Sequence, residues 1–193
     1  MKREAEEKAR LRRELRRRMG ELSHEARQQS DTALFRSFLS LPELEKAKTV
    51  LLFYGVNTEP ETSRLIPLLF AKGKQVCLPR CLPQHQMEAR MIRQDSVLVP
   101  GHVQIPEPPE DCPLVLKKDL DLILVPALSC DRRGIRLGQG GGYYDRYLEN
   151  YSGVTVSFCR KEFLQKELPS GRYDKKVMIV LTEKETLVPE GFW

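Results

Sequence analysis

The hydrophobic positions in the first forty residues follow a helical period. Apolar side chains recur there at spacings of four, four and three, and they are Leu11, Leu15, Met19 and Leu22. This stripe predicts an amphipathic helix over residues 4–21, with arginines on its other faces. A second helix is predicted over residues 24–39, with Ser23 as its N-cap. Pro42 is expected to end this helical unit.

The pattern then changes to short apolar runs that are typical of strands. These runs cover residues 49–54, 74–79, 87–92, 120–126, 154–158 and 176–182. Helices are predicted over residues 62–72, closed by Gly73, and from about Tyr144 to Glu149. The proline-rich residues 95–118 are expected to form a long loop. Because strands alternate with helices, the sequence predicts an α/β fold of three layers, with a mainly parallel sheet, helices on both faces and an N-terminal helical arm.

Composition and charge narrow the class of protein. The chain has 193 residues and 40% hydrophobic content, which suits a single domain spanning residues 1–193. Its net charge is +5, and residues 1–30 hold ten Lys or Arg against six Glu. Such a basic arm favours an anionic partner, whether a nucleotide, a nucleic acid, a membrane surface or an acidic small molecule. The plainer alternative is a solvated helix face.

The cysteines and the N-terminal segment bear on the compartment. The chain has five cysteines, an odd number, with no C-x-x-C pair and no zinc-type spacing to its three histidines. Reduced thiols are therefore expected. The glutamates of the arm are unlike an acid-poor transit peptide, and no apolar run approaches the roughly 20 residues that span a bilayer. We therefore expect a cytoplasmic protein without a membrane partner.

The segment RLGQGGGYYDRY, residues 136–147, carries the strongest chemical signal. Its four glycines permit positive φ angles, and consecutive amides can form an anion-binding nest. It is not a Walker A motif, because no G-K-[ST] follows. It is not a dinucleotide fingerprint either, because about a dozen residues separate it from the preceding strand. On the glycines alone, a flexible turn plugged by aromatic rings is the favoured interpretation.

Asp145 changes that balance. Phosphates would repel a neighbouring carboxylate unless a metal lay between them, and Mg²⁺ is bound by one or two carboxylates together with phosphate oxygens. The alternative role is that of an acid favoured at a helix start. Tyr143 and Tyr144 either stack on a heteroaromatic ring or fill the core. Each alternative competes well for one residue, but it is weaker for all of them together, which favours a site for phosphates, a magnesium ion and an aromatic ring.

Residues 120–148, LDLILVPALSCDRRGIRLGQGGGYYDRYL, resemble the signature of the 5-formyltetrahydrofolate cyclo-ligase family. In that signature a strand ending in V-P-x-L precedes D-x-x-G-x-R-L-G-x-G-x-G-Y-Y-D. Further segments agree in order along the chain, and they are KARLRREL, EPET, QIPEP and ELPSGRYD. The resemblance implies an ATP-dependent ligase that phosphorylates the formyl oxygen of 5-formyltetrahydrofolate. N10 then attacks the activated carbon, and the products are 5,10-methenyltetrahydrofolate, ADP and phosphate.

The resemblance also implies roles for matching residues. ATP contacts are implied at Lys8, Ala9, Arg10, Leu11, Arg12, Arg136, Leu137, Gly138, Gln139, Gly140, Gly141, Gly142, Tyr143 and Tyr144. Folate contacts are implied at Tyr54, Glu59, Gln139, Gly140, Gly141, Gly142 and Tyr143. Catalytic roles are expected for Arg136 and Tyr143, and magnesium ligands are expected at Asp145 and Asp174. The implied partners are ATP and 5-formyltetrahydrofolate, bound by a monomer without nucleic acid.

The chain departs from the family pattern at several positions. Many members carry Lys or Arg inside the glycine loop, where this chain has Gln139 and Gly141. Met178 stands where the family often has a second aspartate, and Phe163 replaces a common glutamine. The C-terminal part of the site is therefore the least constrained by the resemblance.

Two rival hypotheses remain at this point. The first is a nucleic-acid-binding module that uses the basic helix of residues 1–27, with affinity falling steeply as salt rises. The glutamates within that helix and its lack of interleaved aromatic residues count against it. The second is a relative that binds folate or nucleotide without catalysing a reaction.

Overall fold

The computed structural model describes residues 2–101 and 104–191. Its α-helices in these ranges are α1 (Lys2–Glu21), α2 (His24–Leu39), α3 (Pro42–Lys46), α4 (Leu65–Ala71) and α5 (Tyr143–Tyr147). Its strands are β1 (Thr49–Leu51), β2 (Gln75–Leu82), β3 (Gln86–Ile92), β4 (Val99–Pro100), β5 (Pro106–Glu107), β6 (Leu114–Val115), β7 (Leu122–Val125), β8 (Ser129–Cys130), β9 (Arg136–Leu137), β10 (Val154–Phe158), β11 (Ile179–Leu181) and β12 (Thr186–Leu187). Short 3₁₀ turns cover Thr62–Arg64, Pro83–His85, Lys117–Asp119 and Lys161–Phe163.

Within the described ranges, one eight-stranded sheet organises the molecule, in the order β12-β11-β10-β7-β1-β2-β3-β6. The strands from β11 to β2 in this order run parallel. The outer strands β12, β3 and β6 pair antiparallel at the two edges. The expected α/β fold with a mainly parallel sheet is therefore confirmed. The short strands β4–β5 and β8–β9 form two separate ribbons.

The alternation of side chains along the central strands builds two apolar layers. Leu122 and Leu124 of β7 belong to the cluster that also contains the apolar faces of α2, α3 and α4. Ile123 and Val125 belong to the opposite cluster, against which the tyrosines of α5 pack. Both faces of the sheet are therefore covered by helices, as a three-layer fold requires.

Helix α1 is packed onto the body of the protein by its predicted apolar stripe. Leu15 and Met19 are buried against Leu137 of β9 and against Phe163, and Leu11 and Leu22 lie at the border of this cluster. The predicted N-cap at the next helix is also present, since the Ser23 side chain accepts a hydrogen bond from Ala26 N at 3.1 Å. Within the described residues, no helix is long and apolar enough to cross a bilayer.

Strand β1 ends three residues earlier than its apolar run predicts. Leu52 N still donates to Cys77 O of β2, but beyond it the Thr62 hydroxyl donates to Phe53 O and accepts from Gly55 N. The chain therefore leaves the sheet and carries Tyr54 outward. The helix predicted over residues 62–72 is a 3₁₀ turn, Thr62–Arg64, followed by α4.

Other boundaries also differ from the prediction, and three of them change the picture of the fold. Pro42 begins α3 instead of ending the helical unit, because proline fits the first turn of a helix. The segment 95–118 is not loop throughout, since it contributes β4, β5 and β6, and its residues 102–103 lie outside the described part. Helix α5 starts at Tyr143, directly after a left-handed Gly142.

Candidate active site

A cavity of about 540 Å³ lies beyond the carboxyl ends of the central parallel strands. Tyr54 follows β1 and Pro126 follows β7, and both line it. Cavities of this size hold cofactor-sized ligands, and this edge of an open α/β sheet is where such ligands bind. Lys8 from the first helix and Asp174 from the C-terminal segment complete the wall.

The cavity wall gathers the site residues predicted from the sequence, with three exceptions. Ala9, Arg10 and Leu11 do not line it, whereas Lys8 and Arg12 do. Residues four apart share one face of a helix, and the three residues between them point elsewhere. Leu11 packs in the cluster beneath α1, and Arg10 is exposed. An ATP contact for these three residues stays a prediction that the position of their side chains does not support.

Other wall residues received no role from the sequence. They are Phe53, Pro79, Cys81, His85, Met87, Ile105, Pro106, Glu107 and Pro126. Most come from β2, β3 and the segment around β5. These elements are far from the glycine loop in sequence, and only the order in which the strands pair brings them close to it. The segment QIPEP was noticed as part of the resemblance, but nothing in its spacing indicated a cavity-facing carboxylate at Glu107.

The glycine loop, residues 138–142, offers a run of free amide groups. Within the described part of the chain, none of its five backbone N–H groups donates to a backbone acceptor. Unpaired amides in a concave turn bind anions such as phosphate oxygens. This arrangement favours the phosphate-binding interpretation over a plugged turn, because a turn filled by its own contacts would satisfy those donors.

Three arginines occupy the carbonyl oxygens of the same loop. Arg12 Nε donates to Gly138 O at 2.8 Å, Arg16 Nη2 donates to Gln139 O at 2.9 Å, and Arg146 Nη1 donates to Gly141 O at 2.9 Å. These bonds fix the orientation of the peptide groups and place positive charge around the loop. Arg16 was not among the predicted site residues, although it lies one helical turn after Arg12.

Two glycines in this loop have backbone angles that other residues rarely adopt. Gly140 has φ +108° and Gly142 has φ +70°. A Cβ on Gly142 would lie 2.7 Å from Arg146 Nη1, whereas one on Gly140 would only touch the Arg12 guanidinium at 3.4 Å. The loop therefore needs glycine at both positions for its conformation, and a side chain at residue 142 would also displace the Arg146 guanidinium.

Arg136 is the most buried cation of the wall, with 7% of the residue exposed. Its Nη2 donates to Asp145 Oδ1 at 2.8 Å, and Asp145 Oδ1 also accepts from Lys175 N. Arg136 Nε is buried and has no partner within the described residues. A buried guanidinium with a spare donor is suited to a phosphate oxygen, since arginine binds phosphates through several N–H groups at once.

Lys8 and Asp174 form a second charged pair on the wall. Lys8 Nζ lies 2.5 Å from Asp174 Oδ2 and 2.7 Å from Glu4 Oε1. Burial acts to lower the pKa of Lys8, but the hydrogen bonds to Asp174 and Glu4 outweigh it and raise that pKa above its ordinary value. Lys8 is therefore a permanent cation at the cavity.

Asp145 and Asp174 are arranged so that each can bind a magnesium ion, which is the role expected for them. On each of Asp145 and Asp174, hydrogen bonds from the described residues engage one oxygen and leave the other without a donor. No group of three or more His, Cys, Asp and Glu side chains in the described ranges forms a metal cluster. Two carboxylates with a free oxygen each fit the way Mg²⁺ is held between a protein and phosphate oxygens.

The side of the cavity opposite α1 is aromatic and apolar. Tyr143 packs edge-on against His85, with ring centroids 5.3 Å apart. The Tyr144 hydroxyl is buried without a partner in the described part of the chain, and burial is the main cause that raises its pKa, so the phenol stays neutral and can donate. Gln139 Nε2 donates to Glu59 Oε1 at 3.0 Å and so links the glycine loop to the segment after β1.

The structure shows where the residues that depart from the family pattern lie. Met178 packs at the border of the sheet core, its backbone N donates to Thr155, and it does not line the cavity. Phe163 is buried beneath α1 in the cluster of Leu15 and Met19. Both side chains therefore serve packing, and neither removes a group from the cavity wall.

Comparison with known proteins agrees with this geometry. Residues 4–183 match the model of the 5-formyltetrahydrofolate cyclo-ligase family. The 5-formyltetrahydrofolate cyclo-ligase of Escherichia coli (strain K12) is 31% identical, over 87% of this chain and 96% of its own. The enzyme of that name from Mus musculus is 29% identical, over 90% of this chain and 92% of its own.

A solved structure gives the same result. The NMR structure of Aquifex aeolicus 5,10-methenyltetrahydrofolate synthetase superposes with a TM-score of 0.86 at 29% identity, over 95% of this chain and 93% of its own. The chain therefore belongs to the 5-formyltetrahydrofolate cyclo-ligase family and is an ATP-dependent ligase.

Proposed function

We propose that the cavity between α1, the glycine loop and β5 is where this ligase converts 5-formyltetrahydrofolate to 5,10-methenyltetrahydrofolate, with ATP as co-substrate. The observation that carries this proposal is the run of free amides at residues 138–142, placed in one cavity with the buried Arg136. Anion-binding amides beside a deep apolar wall suit a substrate pair that joins a triphosphate to a ring system.

The phosphates of ATP lie along the glycine loop. The amides of residues 138–142, Arg12 and the spare Nε of Arg136 bind phosphate oxygens there, and Lys8 adds a fourth source of positive charge. Phosphoryl transfer is promoted mainly by positioning and by neutralising the charge on the transferred group. A buried guanidinium such as Arg136 contributes more than an exposed one, because water does not screen it.

The reaction proceeds in two steps across this wall. The formyl oxygen attacks the γ-phosphorus of ATP, and ADP leaves. N10 then attacks the formyl carbon and loses its proton, the carbon–oxygen bond breaks, and phosphate leaves. Tyr143 and Tyr144 flank the folate ring at this point, with the neutral Tyr144 hydroxyl as a hydrogen-bond donor. Arg136 and Tyr143 are the residues to which we assign catalytic contacts, together with substrate contacts at Tyr54 and Glu59.

Asp145 and Asp174 would hold Mg²⁺ through their free oxygens. When bound, the ion neutralises phosphate charge that the loop amides and arginines do not. Asp145 keeps Arg136 in place through its other oxygen, and Asp174 does the same for Lys8. We further propose that the chain acts as one domain, as a monomer and in the cytoplasm.

The test is turnover of purified protein with 5-formyltetrahydrofolate and Mg-ATP, followed by the absorbance of the methenyl product and by ADP release. Product and ADP should appear in equal amounts, and ADP should not appear without the folate. Folate binding by calorimetry with no ADP release would favour a non-catalytic relative instead. Affinity for RNA or DNA that falls steeply with salt would favour the nucleic-acid module. The structure counts against the nucleic-acid module, because Arg12 and Arg16 of the basic helix already bond to the glycine loop beside the cavity.

A further inference from the structure

Glu107 places a buried carboxylate in the wall of the cavity. It is the last residue of β5, only 5% of it is exposed, and it lines the cavity together with Pro106, Met87 and Tyr143. Glutamate is rarely buried to this extent without a partner, because a desolvated charge is costly. The partner of this carboxylate is therefore informative about the ligand.

The described part of the chain gives Glu107 no cationic partner. None of its Lys, Arg or His side chains lies within ion-pair distance of the carboxylate. Its neighbour is the Cys81 thiol, whose pKa is raised to about 12 by burial and then by the Glu107 carboxylate. A protonated thiol is a weak donor and leaves most of the acceptor capacity of the carboxylate unused.

The backbone is shaped around this carboxylate. A Cβ on Gly101 would lie 2.1 Å from Glu107 Cδ and 2.4 Å from Oε2, so a larger residue here would force the carboxylate to shift. The fold thus accommodates the carboxylate closely on one side and leaves its other side to the cavity. The surrounding wall of Met87, Pro106 and Tyr143 is suited to the faces of a flat ring.

The pterin ring of a folate carries two adjacent donors on one edge, the 2-amino group and N3–H. Two parallel N–H donors match the two oxygens of a carboxylate, as they do in arginine–carboxylate pairs. We propose that Glu107 is a specificity-determining residue that receives these two donors and so selects the pterin end of the substrate. This inference rests on the proposed function, because it assumes that the folate occupies this cavity.

Glu59 is the other glutamate of the wall, and it is less suited to this role. Its Oε1 accepts from Gln139 Nε2 at 3.0 Å and its Oε2 accepts from Val56 N at 3.2 Å. Both oxygens are therefore engaged in holding the loop after β1 against the glycine loop. Glu59 is also only half-buried, so water competes for its remaining capacity.

The experiment compares 5-formyltetrahydrofolate with its 2-desamino-2-methyl analogue, which lacks one of the two donors. The wild-type protein should discriminate against the analogue by at least about tenfold in kcat/KM, the effect of losing a hydrogen bond to a charged group in a buried site. In Glu107→Leu this ratio should fall to near one, because neither compound then finds the carboxylate. The KM for ATP should change little in that variant.

Three further variants make the outcome decisive. If Glu107→Leu does not fold, Glu107→Gln takes its place, because it keeps the size of the side chain. Glu107→Gln should raise the KM for the folate and reduce the discrimination. Glu110→Gln, at an exposed glutamate three residues away, should leave both unchanged. Discrimination that survives in both Glu107 variants, or that is lost in Glu59→Gln instead, would overturn the inference. Since these outcomes require turnover by the wild type, they are distinct from failure of the proposed function, which would show as no turnover at all.

Discussion

Lys8 and Asp174 are separated by 166 residues in the chain, yet Lys8 Nζ lies 2.5 Å from Asp174 Oδ2 at the wall of the cavity. This ion pair joins the first helix to the segment before β11. It brings the positive charge of α1 to the place where the phosphates of ATP are proposed to lie.

The first prediction concerns this pair. Lys8→Met should raise the KM for ATP by roughly tenfold or more, because a charge-assisted hydrogen bond to phosphate is lost. The free energy of unfolding should fall by about 1–3 kcal/mol, since the pair is partly buried and its hydrogen bond is charge-assisted. Initial-rate kinetics and urea denaturation measure the two quantities.

Arg17→Met is the matched control for that change. Arg17 lies on the same helix and pairs with Glu21, but both side chains are exposed and remote from the cavity wall. This control should leave the KM for ATP unchanged. If Lys8→Met behaves like the control, α1 carries only a solvated charge at this position.

The second prediction concerns Asp145. Asp145→Asn should lower kcat by about a hundredfold and raise the magnesium concentration needed for half-maximal activity, since the charge that offsets the ion is lost. Raised Mg²⁺ should restore part of the rate. Titration of the rate with MgCl₂ measures this. Glu149→Gln, an exposed acid just beyond α5, should retain the wild-type magnesium dependence. An unchanged magnesium dependence in Asp145→Asn would leave Asp145 the smaller role of positioning Arg136.

The third prediction tests the conformation of the glycine loop. Gly140→Ala should weaken ATP binding, because φ +108° is unfavourable for alanine and the loop would shift to relieve it. The measurement is the KM for ATP together with the melting temperature. Gly20→Ala, inside α1 with open space around its Cα, should instead stabilise the protein by about 0.5–1 kcal/mol. Equal effects of the two substitutions on the KM for ATP would contradict a phosphate-binding role of the loop.

The fourth prediction concerns stability. Asp31 and Arg160 are each 4% exposed, and Arg160 Nη1 lies 2.7 Å from Asp31 Oδ1. Asp31→Ala should cost about 3–5 kcal/mol of unfolding free energy, because it leaves a buried guanidinium without its partner. Asp31 also accepts from Glu61 N, so the loop that carries Glu59 should loosen. Glu21→Ala, which breaks an exposed pair, should cost no more than about 1 kcal/mol in the same denaturation experiment.

The sequence predicted the sheet better than it predicted the ends of the strands. Strand β10 has the bounds expected from its apolar run, because it pairs with a neighbour on each side over that run. Strand β1 is shorter than its apolar run, and just beyond it the Thr62 side chain bonds Phe53 O, a contact between residues nine apart in sequence. Such a contact leaves no periodic signal, so hydrophobic pattern alone could not show it.

The residues of the candidate site also differ in whether the sequence could predict them. The glycine loop and Asp145 could be singled out because their residue types and spacing carry chemistry, and Lys8 and Arg12 because of the family resemblance. Cys81 and Glu107 were not, because they reach the cavity through β2 and β5, and only the pairing of strands brings them there. Arg16 could have been found by extending the four-residue spacing of the α1 cations by one more turn.

The contact between α1 and the segment around Asp174 has a consequence for the newly made chain. The segment from β1 to β10 lies between Lys8 and Asp174 in sequence, so a nascent chain can pair most of its parallel strands before these two parts of the cavity wall meet. The Lys8–Asp174 contact is therefore a late event of folding during synthesis, and its formation marks the completion of the proposed site.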